Sequence, residues 1–138
     1  MGLILLDSTA IVGFLDADDA LHEAAVAKLK ELAGEHPLVT SVVVYAEVMT
    51  GVVLGHHPRE SVDDFFDVLI RDLLPVDRAV AARGAELRGE RKSLPMPDAL
   101  ILAAADLHAD VERVLCADVA WPKVEGLDCE VELLKPDS

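Results

Sequence analysis

The sequence predicts an α/β protein in which a central parallel sheet of four to five strands lies between two layers of helices. Short apolar segments typical of buried strands alternate with longer segments in which apolar residues recur at helical spacing. Strands that alternate with helices usually build a parallel sheet, and the connecting helices cover both of its faces. Apolar residues make up 52% of the 138 residues and charged residues 28%, which is typical of a globular chain. We therefore expect residues 1–138 to form one domain with a three-layer α/β/α fold.

The strands are predicted from apolar segments that are bounded by polar or turn-forming residues. Leu3–Leu6 is an uninterrupted apolar run, which is typical of a strand that is buried on both faces. Three further segments have strand-like composition, and one near the C-terminus is a candidate fifth strand. In chain order, the five segments are residues 3–6, 37–39, 73–76, 113–116 and 130–134.

The helices are predicted from apolar stripes and from residues that commonly cap helices. Gly34 follows an amphipathic segment and is suited to its C-terminal cap. Ser41 and Asp77 can cap the starts of two later helices. Pro97 suits the first turn of another. The predicted helices are residues 9–15, 18–34, 41 to about 54, 58 to about 70, 77 to about 91, and a last one that begins at 97.

Composition and charge exclude several classes of protein. No apolar run is long enough to span a membrane, and the N-terminus lacks the basic segment of a signal peptide. Two cysteines are too few for a disulfide scaffold. We therefore expect a cytoplasmic protein with reduced thiols that does not associate with membranes. The formal net charge of −14 argues against non-specific binding to nucleic acid and favours a cation or a basic protein partner.

Two aspartates follow predicted strands. Asp7 comes directly after the first strand, and Asp118 follows the fourth. Ligands of parallel sheets bind beyond the carboxyl ends of the strands, so both carboxylates are candidates for a binding site. Each also has an ordinary structural interpretation, Asp7 as a helix cap and Asp118 as a turn former before Trp121.

Glu47 lies in the middle of a predicted helix, beyond the first turn, where it is neither a cap nor a favourable helix-dipole acid. Val43 and Val44 precede it by four and three residues, so we expect Glu47 to project from the apolar face. A buried carboxylate needs a cation, and no lysine or arginine occurs between Lys30 and Arg59. A functional role is therefore favoured over a structural salt bridge.

Asp98 begins a helix whose apolar face should pack against the sheet, which would carry the carboxylate to an interior edge. The alternative is an acid that simply favours the helix dipole. Acids that converge repel one another unless a metal neutralises them, and an all-oxygen set suits Mg²⁺ or Mn²⁺ better than zinc. The candidate set is Asp7, Glu47, Asp98 and Asp118.

Four motifs in order resemble the PIN-domain family, and within it the VapC-type toxins of bacterial toxin–antitoxin pairs. The segments are LILLDSTAI, SVVVYAEVMTG, MPDALILAAADLH and CADVAWPKVEGL, and together they extend over most of the chain. The resemblance implies a PIN-like fold and a metal site made by Asp7, Glu47, Asp98 and Asp118. It also implies an endoribonuclease that leaves a 3′-hydroxyl and a 5′-phosphate, and a VapB-like antitoxin as partner.

One position departs from the family pattern. Cys116 stands where the family usually has threonine, so a supporting hydroxyl is missing there and Asp118 is the least secure of the four ligands. Ser8 or Thr9 could supply that hydroxyl instead.

A basic segment just upstream of Asp98 could bind RNA despite the acidic net charge. The candidate phosphate contacts are Arg83, Arg88, Arg91 and Lys92, and the alternative is a solvated helix face tempered by glutamates. We also expect a homodimer, because apolar residues are in excess for so small a chain. Those residues are Val42, Val43, Val44, Val48, Val52, Val53, Phe65 and Phe66.

Two other functional classes are compatible with parts of the pattern. One is a non-catalytic PIN-like module that binds RNA or protein, although the presence of all four acids argues against it. The other is a phosphotransfer protein, such as a receiver domain or a haloacid-dehalogenase-like phosphatase. That phosphatase needs a second aspartate two residues after the first, and position 9 is threonine.

Overall fold

The computed structural model describes residues 2–136 as a five-stranded parallel sheet flanked by six helices, as the sequence predicts. The strand order is β3-β2-β1-β4-β5. The strands are β1 Leu3–Leu6, β2 Leu38–Ser41, β3 Ile70–Leu74, β4 Val111–Cys116 and β5 Glu130–Leu133. The helices are α1 Ser8–Leu15, α2 His22–Ala33, α3 Val42–Val53, α4 Arg59–Leu69, α5 Arg78–Glu90 and α6 Met96–Leu107, and a short 3₁₀ helix spans Trp121–Lys123.

The central position of β1 in the sheet explains why the chain begins with an apolar run. β1 pairs with β2 on one side and with β4 on the other, so neither of its edges reaches solvent. Ile4, Leu5 and Leu6 are completely buried. A strand enclosed in this way requires apolar side chains on both faces.

All five strands are parallel, so their carboxyl ends lie at one edge of the sheet. Asp7 follows β1 at this edge, and α3 begins there directly after β2. Because α6 runs back toward the start of β4, its first turn also lies at this edge. We call this the carboxyl edge, and it is where the predicted acids can meet.

The predicted helix caps at Ser41 and Asp77 are confirmed. The Ser41 hydroxyl accepts a hydrogen bond from the backbone N–H of Val43 at 3.0 Å, and Asp77 Oδ1 accepts one from Val80 at 2.9 Å. Each satisfies a donor that the first helical turn leaves without a partner. Ser41 thereby sets the direction in which α3 leaves the carboxyl edge.

The predicted position of the third strand is wrong by three residues at its start. The prediction began at residue 73, whereas β3 spans Ile70–Leu74 and follows α4 without a loop. Arg71 and Asp72 are exposed because β3 is an edge strand of the sheet. Polar residues are common on such edges, and here they interrupt the apolar run by which the start of the strand would be predicted.

Much of the apolar surface expected to form a dimer lies in the core instead. Val44, Val48, Phe65 and Phe66 are buried. The aromatic rings pack within the protein, with Tyr45 and Phe66 at a centroid distance of 4.9 Å in an edge-to-face arrangement. Of the residues proposed for the dimer surface, Val42 and Val53 are exposed.

Helix α6 is held against α5 by a close approach at Gly84. A Cβ atom at position 84 would lie 2.8 Å from Cδ2 of Leu100, so the helices can meet here because glycine has no side chain. On the opposite face of α6, Ile101, Leu102 and Ala105 are completely buried. The predicted packing of this helix is therefore confirmed, and it fixes the position of its first turn. No helix within residues 2–136 combines the length and apolar composition needed to cross a membrane.

Candidate metal centre

Asp7 is buried at the carboxyl edge and is only 3% exposed. Its backbone N–H donates to the carbonyl of Leu115 in the neighbouring strand at 2.9 Å. The Thr9 hydroxyl donates to Asp7 Oδ2 at 2.9 Å, and the Ser8 hydroxyl lies 3.5 Å from Oδ1. The carboxylate makes no capping hydrogen bond to α1, so the interpretation of Asp7 as a helix cap does not account for its side chain.

Burial is the main cause that raises the pKa of Asp7, and the negative charge of Asp98 raises it further. The Thr9 hydroxyl and the nearby backbone N–H groups of Ser8 and Thr9 oppose this shift by favouring the charged form. Asp7 is thus a buried acid that is hydrogen-bonded to neutral groups and repelled by a second acid.

Glu47 is exposed, and the prediction that it projects from the apolar face of its helix is wrong. Val44 and Val48 form the buried stripe of α3, and Glu47 lies beside that stripe at the rim of the site. Partial burial of the carboxylate raises its pKa, and the charges of Asp7 and Asp98 add to the increase. Glu47 therefore joins the same electrostatic cluster from its exposed side.

Asp98 lies in the first turn of α6 and is half-buried. Its Oδ2 accepts a hydrogen bond from the indole Nε1–H of Trp121 at 3.1 Å. Burial raises the pKa of Asp98, the charge of Asp118 raises it as well, and the indole hydrogen bond lowers it. Asp98 occupies a favourable helix-dipole position, but it also interacts with Trp121 and Asp118, which belong to the segment that follows β4.

Asp118 forms a turn, as one interpretation of the sequence predicts. Its Oδ1 accepts from the backbone N–H of Ala120 at 2.8 Å, and its carbonyl accepts from Trp121 at 3.2 Å. Its charge nevertheless raises the pKa of Asp98, so Asp118 belongs to the same cluster. Asp118 therefore both forms a turn and belongs to the acid cluster.

Cys116 is completely buried at the end of β4. Burial raises the pKa of its thiol to about 12, so the sulfur is protonated at neutral pH. The thiol lies 3.7 Å from the carbonyl oxygen of Asp118. The next residue, Ala117, donates its backbone N–H to the hydroxyl of Thr9 at 3.0 Å. Because the same hydroxyl donates to Asp7, it joins the end of β4 to that carboxylate.

The donor set of the cluster fits a hard divalent cation. It consists of carboxylate oxygens, and within residues 2–136 none of the four acids forms a salt bridge with a lysine, arginine or histidine. Acids that raise one another's pKa without a basic partner are stabilised in the charged form by a cation such as Mg²⁺ or Mn²⁺. In the same part of the chain, no three acidic, histidine or cysteine side chains are already close enough to hold one ion.

A family model described as the PIN domain matches residues 4–127 of this chain. The chain belongs to the PIN-domain family. This agrees with the resemblance drawn from the four motifs, and the match includes all four candidate acids. No curated protein matches the chain significantly.

Several solved structures share the fold of this PIN domain, and two of them are described as toxin–antitoxin proteins. A chain of FitAcB from Neisseria gonorrhoeae is 26% identical with a TM-score of 0.72, and the match covers 93% of this chain and 95% of that chain. A chain of VapBC2 from Rickettsia felis, solved bound to promoter DNA, is 16% identical with a TM-score of 0.77, over 96% and 99%. VapC20 of Mycobacterium tuberculosis, described as a toxin that cleaves the sarcin-ricin loop, is 18% identical with a TM-score of 0.69, over 92% and 98%.

The basic segment of this PIN domain divides into a structural and an accessible part. Arg83 donates to Asp106 Oδ2 at 2.8 Å and to the carbonyl of Gly126 at 2.9 Å, and its side chain is only 18% exposed. Arg88 donates to the carbonyl of Lys92, and Arg91 lies 3.4 Å from the carbonyl of Lys123. Arg83 is thus held by protein acceptors, while Lys92 is exposed and accessible to a ligand.

Sequence reasoning missed one side chain of the PIN-domain site, Trp121. No role is predicted for Trp121 from the sequence, whereas its indole donates to Asp98. A signal was present, because it is the single tryptophan of a chain with only 4% aromatic residues and it lies three positions after a candidate ligand. A polar indole N–H close to an acid cluster needs an acceptor when it is buried.

Proposed function

We propose that this PIN domain is a metal-dependent endoribonuclease that acts as the toxin of a toxin–antitoxin pair. The observation that carries the proposal is the placement of Asp7, Glu47 and Asp98 at the carboxyl edge with no salt-bridge partner among residues 2–136. The charge of Asp98 raises the pKa of Asp7, and the charges of Asp7 and Asp98 both raise the pKa of Glu47. Asp118 extends the cluster through its effect on Asp98. The PIN-domain family, and structural neighbours described as toxin–antitoxin proteins, support the toxin assignment.

The four acids would hold Mg²⁺ or Mn²⁺. When bound, such an ion lowers the pKa of a water molecule and neutralises charge on the phosphate oxygens. Asp7 and Asp98 each have one oxygen engaged by a fixed donor, Thr9 and Trp121 respectively. These hydrogen bonds restrict the orientations that the two carboxylates can take.

Glu47 is the acid best suited to accept a proton from the attacking water. It is the exposed member of the cluster, so its carboxylate can reach a water that also contacts RNA. Asp7 is buried and hydrogen-bonded, and this suits it better to a fixed ligand than to proton transfer.

RNA would reach the site beside the C-terminal end of α5. Lys92 and Lys123 are exposed, and Arg88 and Arg91 are half-buried next to them. A small number of phosphate contacts fits a chain with a net charge of −14 better than a long basic groove does. We therefore expect a structured RNA with few backbone contacts as the substrate.

The acidic chain also suits a basic VapB-like antitoxin, and a toxin–antitoxin complex from Klebsiella pneumoniae is among its structural neighbours. A homodimer stays part of the proposal, now resting on exposed residues such as Val53. Light scattering of the protein without antitoxin should give twice the monomer mass at micromolar concentration. A monomer would remove the dimer from the proposal without affecting the nuclease. The cytoplasm is the proposed location, and residues 1–138 the proposed single domain.

A non-catalytic PIN-like module that binds RNA or protein is the alternative, and one observation favours it. Within residues 2–136 no three potential ligands are already arranged around a common point. If no ion binds at cellular concentrations, the acids would serve recognition of a basic partner instead of hydrolysis.

Incubation with total cellular RNA separates these functions. The purified protein is incubated with Mg²⁺, with Mn²⁺ and with EDTA, and the ends of any new fragments are mapped. The proposal predicts discrete cleavage with either metal, 3′-hydroxyl and 5′-phosphate ends, and no cleavage in EDTA. RNA that is bound but never cut would favour the non-catalytic module, and cleavage that persists in EDTA would contradict the metal-dependent mechanism.

A further inference from the structure

The single polar atom of the Trp121 side chain forms a hydrogen bond with the acid cluster. An indole has one N–H, which donates and cannot accept, and here it donates to Asp98 Oδ2 at 3.1 Å. The side chain is 1% exposed, so the ring has no access to water as an alternative acceptor. Asp98 is therefore the acceptor that makes burial of this indole tolerable.

The backbone around Trp121 is fixed by Asp118, a second acid of the cluster. Asp118 accepts from the N–H of Ala120 through its side chain and from the N–H of Trp121 through its carbonyl. The carbonyl of Trp121 then accepts from Val124 at 3.0 Å, which closes the 3₁₀ turn. Asp118 and Trp121 thus form one hydrogen-bonded turn, and the indole extends from it to Asp98.

This turn joins acids from two elements. Asp98 is 23 residues from Trp121 in the sequence and belongs to α6, whereas Asp118 follows β4. Asp118, a candidate ligand, begins the turn. Trp121, at its other end, donates to the carboxylate of Asp98, a second candidate ligand. A displacement of the turn would therefore move both acids relative to Asp7.

An apolar residue could fill the space of the ring without the hydrogen bond. Phenylalanine or leucine would satisfy a purely packing role in this buried position, and neither would orient a carboxylate. Tryptophan adds a donor that fixes one oxygen of Asp98 and leaves the other oxygen free. Residues that orient metal ligands in this way commonly alter metal affinity by about 10- to 100-fold when they are removed.

We infer that Trp121 is a positioning residue for the metal centre, fixing Oδ2 of Asp98 so that the other carboxylate oxygen stays free for Mg²⁺ or Mn²⁺. The inference rests on the proposed function, because it assumes that Asp98 is a metal ligand. It also makes the single tryptophan of the chain a spectroscopic reporter of the centre.

Direct Mn²⁺ binding by the full chain tests the inference without RNA. Calorimetry compares the parent with Trp121→Phe, which keeps most of the ring volume and removes the donor. Phe66→Leu is the control for lost aromatic packing, since Phe66 is buried against Tyr45 and carries no polar atom. We expect the Mn²⁺ dissociation constant of Trp121→Phe to rise about 10-fold or more, and that of Phe66→Leu to match the parent.

A second measurement needs no variant at position 121. The ¹⁵N-labelled parent gives one indole cross-peak, which should move on Mg²⁺ titration because its acceptor becomes a ligand. The movement should be absent in Asp98→Asn and preserved in Asp64→Asn, which alters an exposed acid of α4.

The outcomes separate failure of the inference from failure of the proposed function. Equal Mn²⁺ affinity of the parent and Trp121→Phe, or an indole peak that stays fixed while the amides of residues 7–9 move, overturns the positioning role alone. A parent that binds neither Mn²⁺ nor Mg²⁺ overturns the metal centre, and the positioning role with it.

Discussion

The hydroxyl of Thr9 donates to Oδ2 of Asp7 at 2.9 Å and at the same time accepts from the backbone N–H of Ala117 at 3.0 Å. A single side chain at the start of α1 thus joins the end of β4 to the acid that follows β1. A hydroxyl that both donates and accepts has a fixed orientation, so the Asp7 carboxylate is held from one side. This hydrogen bond and the one from Trp121 to Asp98 are two side-chain supports of the cluster.

Thr9→Val should weaken both folding and metal binding. Valine keeps the shape of threonine, but Asp7 loses a donor and the N–H of Ala117 loses its acceptor. We expect a loss of about 0.5–1.5 kcal/mol in unfolding free energy, measured by urea denaturation, and weaker Mn²⁺ binding. Thr50→Val is the matched control, because the Thr50 hydroxyl bonds only the carbonyl of Ala46 within α3. Equal effects of the two substitutions would show that the link through Thr9 has no special role.

Asp98→Asn should be more stable than the parent when metal is absent. The substitution removes a charge that raises the pKa of Asp7 and Glu47, and relief of this repulsion should add about 1 kcal/mol to the unfolding free energy. Mn²⁺ should reverse the order, because it stabilises the folded parent by mass action. Thermal melts in EDTA and in Mn²⁺ measure both effects.

The alternative for Asp98 predicts the opposite sign. If it acts only as a helix-dipole acid, asparagine costs about 0.3–1 kcal/mol and Mn²⁺ changes neither protein. Asp64→Asn controls for the general effect of removing one negative charge from an acidic chain.

The stability of the metal-free protein should depend on pH through the cluster. The folded pKa of Asp7 is raised, so over the range between its ordinary and its folded value the folded state binds more protons than the unfolded state. Stability therefore falls as the pH rises through that range, and the penalty is complete above the folded pKa. The advantage of Asp7→Asn over the parent should be largest at neutral pH and should shrink on acidification.

Melts of both proteins in EDTA at several pH values measure this difference. Glu132, whose pKa is lowered by Lys28 and Arg113, loses stabilising interactions on acidification in both proteins, so its contribution cancels. An advantage that does not change with pH would contradict the electrostatic description of the site.

Arg83 should affect stability, and Lys92 should affect RNA binding. Arg83→Met leaves Asp106, whose side chain is 6% exposed, without its cation, and we expect a loss of about 1.5–3 kcal/mol. Lys92 is exposed, so Lys92→Ala should change stability by less than about 0.5 kcal/mol. Anisotropy of a labelled RNA, measured in the Asp98→Asn background, should show weaker binding for Lys92→Ala. If Lys92→Ala left the RNA affinity unchanged and Arg83→Met greatly reduced it, this division of roles would be reversed.

The parts of the site that were predictable depend on local rules. Asp7 and Asp118 follow buried strands, and the parallel sheet brings the ends of β1 and β4 to the same edge. Ser41 and Asp77 precede helices and cap them, since the capping interaction involves neighbours in the sequence. Such features need no knowledge of tertiary contacts.

The parts that were missed depend on tertiary contacts. The continuous apolar run before Glu47 does not reveal which side of α3 faces the core, so its burial was overestimated. Trp121 meets Asp98 across 23 positions, and no spacing rule connects them. Similarly, Phe65 and Phe66 could have formed an interface or a core, and the packing of α1, α3 and α4 makes them core.

The rate of RNA cleavage by three variants tests the central claim most directly. Asp7→Asn, Asp98→Asn and the control Asp64→Asn are compared with the parent in Mn²⁺, on one defined RNA, after circular dichroism has shown that each is folded. We predict that Asp7→Asn and Asp98→Asn lose cleavage, because each removes one carboxylate of the cluster, and that Asp64→Asn cuts at the parent rate. Folded Asp7→Asn and Asp98→Asn proteins that still cleave at the parent rate would contradict the account.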